Sequence, residues 1–555
     1  MNKITSLFLL LLQLSLSYAQ VPEWSWAKNY GAYNYFSQTT VTGAEDGNVY
    51  LASNFDVPTI SVGSQTFTNT SVSADFYIVK HDQDGNILWA KHEGGAGHDH
   101  IQSITSDSSG NLFVLGRAFA TITIGSFTFD GGGVFIAKYD ADGNVLWATN
   151  PTTAYEVTRI KLDSAGNIYF TGSYQQAGIQ VGAIALTNPN SNASFNNANN
   201  FIAKLDSSGA VIWAKQTQCI GNSVFPNLVW DFATDSDGNV FIGGSLWSDS
   251  VQLDNITLVN NSTTDSANVF MAKYDSNGNV VWAHQPGTSN TNNYLYAVSC
   301  DAIGNVAFSG SFSGTIMFGT TVINASSSGN NMFVAKYNTA GNLLWAKSAT
   351  GVLYSNIDAS DFDDAGNLYV GGSYFADPGQ TLNFGNGAIS NNTNGAYFFV
   401  TKYSVDGMAQ WARGGGPSII DHNLSLDCRN ENEIHLGGFF NNYTNETMNF
   451  GNVVVQHNPE SYYNAFVAKL YHEELGVQTH SSDGFSVAPN PTNGIINVKT
   501  ISQSRYSLVD NLGKIVAQGK LAEAGEIDIS GLPVGVYYLE VDNNGVKNVK
   551  KIIKE

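Results

Sequence analysis

Charge is scarce in this chain. Only 13 % of its 555 residues are Asp, Glu, Lys or Arg, about half of the ~25 % usual in globular domains. Helical surfaces are ordinarily covered by Lys, Glu and Arg, so a helix-rich protein is excluded. Positive charge is scarcest, with 25 Lys+Arg against 46 Asp+Glu and a net charge of −21. Such a chain repels phosphate and lacks the electrostatic footprint of a nucleic-acid binder. Cysteine is limited to Cys219, Cys300 and Cys428, too few and too scattered for a disulfide framework or a zinc site. Long apolar runs are also missing. The best, Ile4 to Leu16, falls short of the ~20 residues that a membrane-spanning helix needs. With Lys3 ahead of it and Ser17-Tyr18-Ala19 behind, it reads as a secretory signal over residues 1–19.

Glycine, asparagine, serine and threonine take the place of charge, and 56 Gly imply many turns. Internal repetition dominates the rest. Trp-Ala recurs at Trp26, Trp89, Trp147, Trp213, Trp282, Trp345 and Trp411, a period of roughly 64 residues. A second motif, Phe-x-x-Lys, ends at Lys80 (with Tyr77 for Phe), Lys138, Lys204, Lys273, Lys336, Lys402 and Lys469. A third, an Asp/Gly/Asn turn before an apolar alternation, stands at Asp46, Asp107, Asp163, Asp235, Asp301 and Asp363, with a degraded copy at Asp427 to Asn430. In such turns Asp accepts backbone N–H groups and Gly supplies the positive φ, after which a β-branched or apolar residue resumes a strand.

The fifth copy shows one unit: Ala297–Cys300, turn, Val306–Phe312, long loop, Met332–Tyr337, turn, Leu343–Ala346. Its period-2 patterning predicts a four-stranded antiparallel meander, strands A to D. Seven such units predict an all-β fold, a seven-bladed β-propeller of four-stranded blades over residues 20–471. The Trp26 strand precedes any A strand, and the last Phe-x-x-Lys strand, at Phe466, has no Trp strand after it. The N-terminal strand is therefore expected to complete the seventh blade. The repeated aromatics are expected between blades, with the Lys stems on apolar surface and their heads exposed. These motifs resemble the β-propeller repeats of secreted bacterial proteins, a resemblance that implies fold and leaves activity open.

The charge balance changes near residue 485, where eight Lys+Arg meet seven Asp+Glu. Residues 472–484 read as a polar linker, and 485–555 as a small β-sandwich. The blocks Pro489-Asn490-Pro491 with Gly494, Leu512-Gly513-Lys514, Leu532-Pro533-Val534-Gly535-Val536-Tyr537, and Lys550 to Lys554, including Lys551, follow in order. They resemble the type A sorting domain of the type IX secretion system. That resemblance implies passage through the periplasm, with the secretion machinery as partner. Removal of the domain would follow, with release of the cargo or its attachment to surface lipopolysaccharide.

Chemistry is thinly marked. The Asp-x-Asp-Gly-Asn runs at Asp82, Asp140 and Asp235 suggest calcium, but each passes straight into an apolar strand, as plain turns do. His98-Asp99-His100, with Asp421-His422, supplies too few ligands for zinc. Asp-Ser-Ala at Asp163 and Asp265 resembles a short O-glycosylation sequence. No nucleophile elbow, phosphate loop or zinc-protease motif is present. No catalytic residue, metal or cofactor is expected. The A–B and C–D turns share one face and are uniform. The B–C and D–A loops share the other and hold the irregular stretches Asn188–Asn200, Cys219–Asn227 and Asn255–Ser266. Just ahead of the A strands stand Tyr33, Tyr35, His98, His100, Tyr155, Tyr294, Tyr354 and His422, the candidate binding residues for an extracellular glycan or protein ligand. The expected function is a non-enzymatic binding or adhesion propeller, secreted or attached at the outer-membrane surface. The alternatives are a glycosidase or lyase, using carboxylates from among Glu93, Asp99, Glu156 and Asp421, and a purely structural surface-layer component.

Overall fold

The computed structural model describes residues 21–31, 38–69, 73–154, 156–188, 198–221, 228–262, 266–287, 291–391, 393–416, 424–441, 447–458, 462–471, 485–500, 503–510, 514–543 and 546–555. The chain divides into two compact units, residues 1–473 and 474–555. Residues 1–20, which include the expected signal, and the expected linker 472–484 lie outside the described residues.

Among the described residues of the first unit, seven antiparallel sheets each contain an A-B-C-D meander. The A strands are Thr39–Gly43, Asp99–Ser106, Glu156–Leu162, Leu228–Thr234, Asn293–Cys300, Tyr354–Phe362 and Ser425–Asn430. Each is a neighbour of the next, and the last returns to the first, so the seven blades close a ring around an axis. Blade 7 draws its A, B and C strands from Ser425–Asn430, Glu433–Asn441 and Tyr463–Tyr471, and its D strand from Glu23–Gly31. Pairing runs from Glu23 opposite Tyr471 to Gly31 opposite Asn464. The N-terminal strand therefore locks the ring. Arg413 of blade 6 secures it further, donating from Nε to the Pro22 carbonyl at 2.6 Å and pairing with Glu23.

The repeated Trp and Gly form one joint. The Trp89 indole of strand D in blade 1 donates to the Ala141 carbonyl in the C–D turn of blade 2, at 3.0 Å. The same bond runs from Trp26 to Gln83, Trp213 to Ser276, Trp282 to Thr339 and Trp345 to Val405. The turn glycine lies flat on that ring. A Cβ on Gly407 would sit 2.6 Å from Trp345, and its φ of +77° already excludes most side chains. Glycine is thus required twice, by backbone conformation and by contact with the preceding blade.

The repeated lysines depart from expectation. Six of the seven are buried and Lys138 is half-buried, so their heads are not exposed. Lys336 is 1 % exposed, pairs with Asp301 of its own A–B turn at 3.1 Å, and lies over the Phe362 ring. Lys204–Asp163 and Lys402–Asp363 repeat the pair. Lys80 and Lys273 also reach the turn carbonyls that accept the Trp indoles, Ala141 and Thr339. In blades 1 to 6 the ammonium finds acceptors at the turns, which makes its burial tolerable.

Two further expectations change. The B–C connection is not a plain loop: every blade carries a two-stranded hairpin there, as in Thr59–Val62 with Gln65–Thr68. Its tight turn uses a positive-φ residue, such as Gly63, Gly125 or Asp254. Ile256–Val259 is a strand of such a hairpin, Asn199–Leu205 is a C strand, and Cys219 and Ile220 extend the D strand Val211–Ile220 to pair with the hairpin. The degraded seventh turn, Asp427 to Asn430, is itself strand, with the turn falling at Glu431–Asn432.

Deleting Glu23–Gly31 should expose the Tyr463–Tyr471 edge and lower the melting temperature by at least about 10 °C. Unchanged melting by calorimetry would show that this strand does not lock the ring. A second expectation concerns His435, fully buried in strand B of blade 7, with no hydrogen-bond partner on either ring nitrogen among the described residues. Burial, reinforced by Lys469, Arg429 and His81, lowers its pKa to about 3. The folded state keeps it neutral while the unfolded chain protonates it below about pH 6.5, so its stability contribution falls on acidification through that window. Leu in its place should flatten that slope, by up to about 1.4 kcal/mol per pH unit. Urea titrations of H435L and the parent at about pH 5 and pH 7.5 measure it, with the larger gain expected at pH 5.

Candidate functional site

The A strands line a cavity of about 690 Å³ on the propeller axis, to which all seven blades contribute. A regular strand would turn alternate residues toward the axis, but the A strands of blades 2 to 6 carry a β-bulge partway along, and that of blade 7 one at its turn end, Cys428/Asn430. The register shifts at Ile101/Ser103, Val157/Ile160, Val229/Asp231, Leu295/Ala297 and Ile357/Ala359. A bulge inserts an unpaired residue and re-aims its side chain. The inserted residues are Gln102, Thr158 with Arg159, Trp230, Tyr296 and Asp358, and all of them line the cavity. Gln102, Thr158, Trp230, Tyr296 and Asp358 each stand five residues before the turn aspartate of their own blade. One structural position, repeated around five consecutive blades, thus presents an amide, a hydroxyl, two aromatics and a carboxylate.

The aromatics form a continuous run. Trp230 meets Tyr296 edge-on at 5.8 Å, Tyr296 stacks on Tyr294 at 6.0 Å, and Tyr294 leans on Trp247 at 6.0 Å. Trp230 is 37 % exposed. Burial raises the phenol pKa of both tyrosines, with Tyr354 adding to it, so both stay neutral hydrogen-bonding groups.

Each carboxylate on the wall has at least one oxygen engaged, while Asp231 Oδ1 and Asp427 Oδ1 accept no hydrogen bond among the described residues. Asp231 Oδ2 accepts the Val298 amide of the next blade at 2.9 Å, and Asp361 Oδ2 accepts that of Cys428 at 2.8 Å. Ser103 and Ser425 accept the Ile160 and Val41 amides in the same way. These bonds join A strand to A strand along the inner ring. Asp427 accepts from Thr42 at 3.2 Å and Asp358 from Asn356 at 2.7 Å. Burial and the neighbouring Asp427 push Asp361 up to about 7, against the pull of Lys161.

Of the candidate residues chosen from sequence, Tyr294 lies on the cavity wall and Tyr354 stands close to it. His98 and His100 do not line the cavity; they stack on each other at 5.8 Å and meet Phe119 edge-on. Tyr33, Tyr35, Tyr155 and His422 lie outside the described residues. The carboxylates singled out for catalysis are elsewhere too. Asp99 is buried and accepts the Gly95 amide at 2.6 Å, Glu156 accepts from Ser173, Glu93 is absent from the cavity lining, and Asp421 is not described. The reading of the sequence missed Trp230, Tyr296 and Arg159, because bulges do not show in a period-2 pattern, and with them Trp247 and Lys161. A usable signal was present: five residues ahead of each turn Asp, repeats that agree elsewhere carry unrelated side chains.

Among the described residues no group of three or more His, Cys, Asp or Glu side chains is placed to hold a metal ion. The Asp-x-Asp-Gly-Asn turns fill their own oxygens: Asp140 Oδ1 accepts the amides of Asp142 and Asn144, and Oδ2 accepts the Asn144 side chain at 2.9 Å.

In the second unit, Phe485–Ala488, Ile495–Thr500 and Ala524–Asp528 form one sheet, and Ser504–Asp510, Ile515–Leu521, Gly535–Asn543 and Val546–Lys554 the other. They enclose Ile496, Val498, Leu508, Leu539 and Ile552. The separated sequence blocks meet. Asn490, between Pro489 and Pro491, donates to the Lys551 carbonyl at 2.6 Å and accepts the Ile553 amide at 2.8 Å. Lys554 donates to the carbonyls of Ser530 and Leu532, Tyr537 to that of Pro533 at 2.7 Å, and the Ile529 amide to the Gly494 carbonyl at 2.6 Å. Gly535 opens the central strand of this group, and Gly513 lies outside the described residues. Residues 486–555 match the family model of the secretion system C-terminal sorting domain.

The C-terminal unit is a type IX secretion sorting domain. It makes the chain a secreted or outer-membrane surface protein, and among the described residues no helix is long and apolar enough to cross a membrane. The chain is also similar to an uncharacterized WD repeat-containing protein of Acanthamoeba polyphaga mimivirus, at 24 % identity over 545 residues. That match covers 80 % of this chain but only 38 % of the relative. Solved structures with similarity include the Neurospora crassa Pan2 WD40 domain, at 10 % identity and TM-score 0.30, over 61 % of this chain and 86 % of that one. An ulvan lyase bound to -[GlcA(1-4)Rha3S]- has 10 % identity and TM-score 0.34, over 74 % and 93 %. A puromycin hydrolase has 8 % identity and TM-score 0.38, over 78 % and 58 %.

Removing residues 485–555 should abolish delivery of this chain to the medium or cell surface and leave the protein in the periplasm. Immunoblots of cell fractions check this; surface protein from the truncated gene would contradict it.

Proposed function

We propose that the first unit is a non-enzymatic binding propeller, carried to the cell exterior by its sorting domain, that holds a saccharide in the axial cavity and so serves adhesion or capture. The aromatic run from Trp230 to Trp247, set in a cavity whose other walls carry many Thr, Ser and Gln side chains beside charged groups, carries this reading. Sugars present C–H faces that stack on aromatics and hydroxyls that bond to short polar side chains, and the volume lies within the ~300–1,000 Å³ usual for ligand pockets. Rigid blades hold the aromatics in place, so little ordering entropy opposes binding.

A polysaccharide lyase or glycosidase on the same scaffold is the second reading, favoured by the carboxylates on the cavity wall. Glycoside hydrolysis needs a pair about 5–10 Å apart, with one acting as acid and the other free to attack or activate water. The bonds from Asp231 and Asp361 to neighbouring amides give those groups a structural task instead, which supports binding over catalysis.

A glycan array probed with the full chain, followed by calorimetry on the hits, tests this. W230A should weaken the best hit at least tenfold, since a stacked ring contributes about 1 kcal/mol or more beyond its buried area. Unchanged affinity in W230A would remove the cavity from the binding site, and new reducing ends released from a hit would favour the enzyme.

A further inference from the structure

The charged groups of the cavity divide into those already engaged and those left available. On the acidic side, Asp231, Asp358, Asp361 and Asp427 each accept a hydrogen bond from the protein, and the first and third of these hold neighbouring A strands together. Turning Asp231 or Asp361 away from those amides would break the inner ring.

The cations differ. Arg159 occupies the only two-residue bulge among the described A strands, between Val157 and Ile160. Its Nη1 donates to the Thr158 carbonyl at 3.3 Å, and its Nε lies 3.6 Å from Asp231 Oδ1 in an ion pair that is not a hydrogen bond. Nη2 has no protein acceptor among the described residues. Lys161, two residues on, is exposed on the same wall and makes no ion pair within 4.0 Å among them. Both side chains line the cavity, beside the blade that carries Trp230. The cavity therefore offers an open guanidinium edge and an exposed ammonium side by side, although the chain as a whole carries −21.

We propose that the ligand is an acidic saccharide, its carboxylate or sulfate held by Arg159 and Lys161 while a sugar ring stacks on Trp230 and Tyr296. This rests on the saccharide reading of the cavity and specifies its charge. A guanidinium with a free N–H edge suits a planar carboxylate or a sulfate oxygen pair, and an ammonium adds a point charge without fixed direction.

The test is calorimetry on the full chain with three probes of matched length: a trigalacturonate, a sulfated trisaccharide and maltotriose. At least one acidic probe should bind about tenfold or more tighter than maltotriose, with the preference shrinking as salt rises from about 50 to 500 mM. Which acidic probe wins distinguishes a uronate from a sulfate ester. R159Q and K161Q should each lower the acidic-to-neutral ratio severalfold, and together bring it close to one. K161Q alters an exposed side chain, so it keeps the test intact if R159Q unfolds through loss of the cation beside Asp231. Maltotriose binding as tightly as both acidic probes, or a ratio that survives K161Q, would overturn the proposal and leave the saccharide reading standing. Failure of all three probes to bind would instead count against the saccharide reading, and the proposal would fall with it.

Discussion

The fold depends on a joint between blades: a tryptophan in the outer strand of one blade holding the glycine turn of the next. A sheet in a propeller has little edge pairing with its neighbours, so blades must cohere through side chains. The indole covers the turn, donates to its carbonyl, and leaves no room for a Cβ where glycine stands. The buried lysine of the same blade braces the arrangement, pairing with its own A–B aspartate and, at Lys80 and Lys273, sharing the carbonyl that the indole uses. Removing one partner would strand a buried charge or donor, at a cost of roughly 1–3 kcal/mol or more.

Around the axis a second device takes over. There the blades are joined by polar side chains that accept amides of the next A strand, at Ser103, Asp231, Asp361 and Ser425. This commits much of the inner polar surface to structure and leaves the bulge residues for recognition. At the seam between first and last blades, Arg429 of blade 7 reaches the Gly43 carbonyl of blade 1 and the Ser106 hydroxyl of blade 2. Closure therefore rests on side chains at the centre as well as on the N-terminal strand at the rim.

This division also separates scaffold from specificity. The joints repeat because each has the same geometric task. The bulge positions do not, since nothing in the scaffold fixes what projects into the cavity, so amide, hydroxyl, aromatic and acid succeed one another from blade to blade.

The sequence by itself determined the all-β class, the seven repeats, the sharing of the last blade between the two ends and the sorting domain. Each of these is written locally, in turn residues whose own side chains satisfy the backbone and in strand patterns of period 2. Tertiary structure alone decided where the lysine heads lie, because their acceptors come from turns about thirty to sixty residues away. It also decided the cavity wall. A strand read as Ala297–Cys300 begins at Asn293, and the bulge at Tyr296 breaks the alternation that would have revealed it. The candidate site draws on one such irregularity in each of five blades, and only closure of the ring brings residues as distant as Gln102 and Asp358 to a common space.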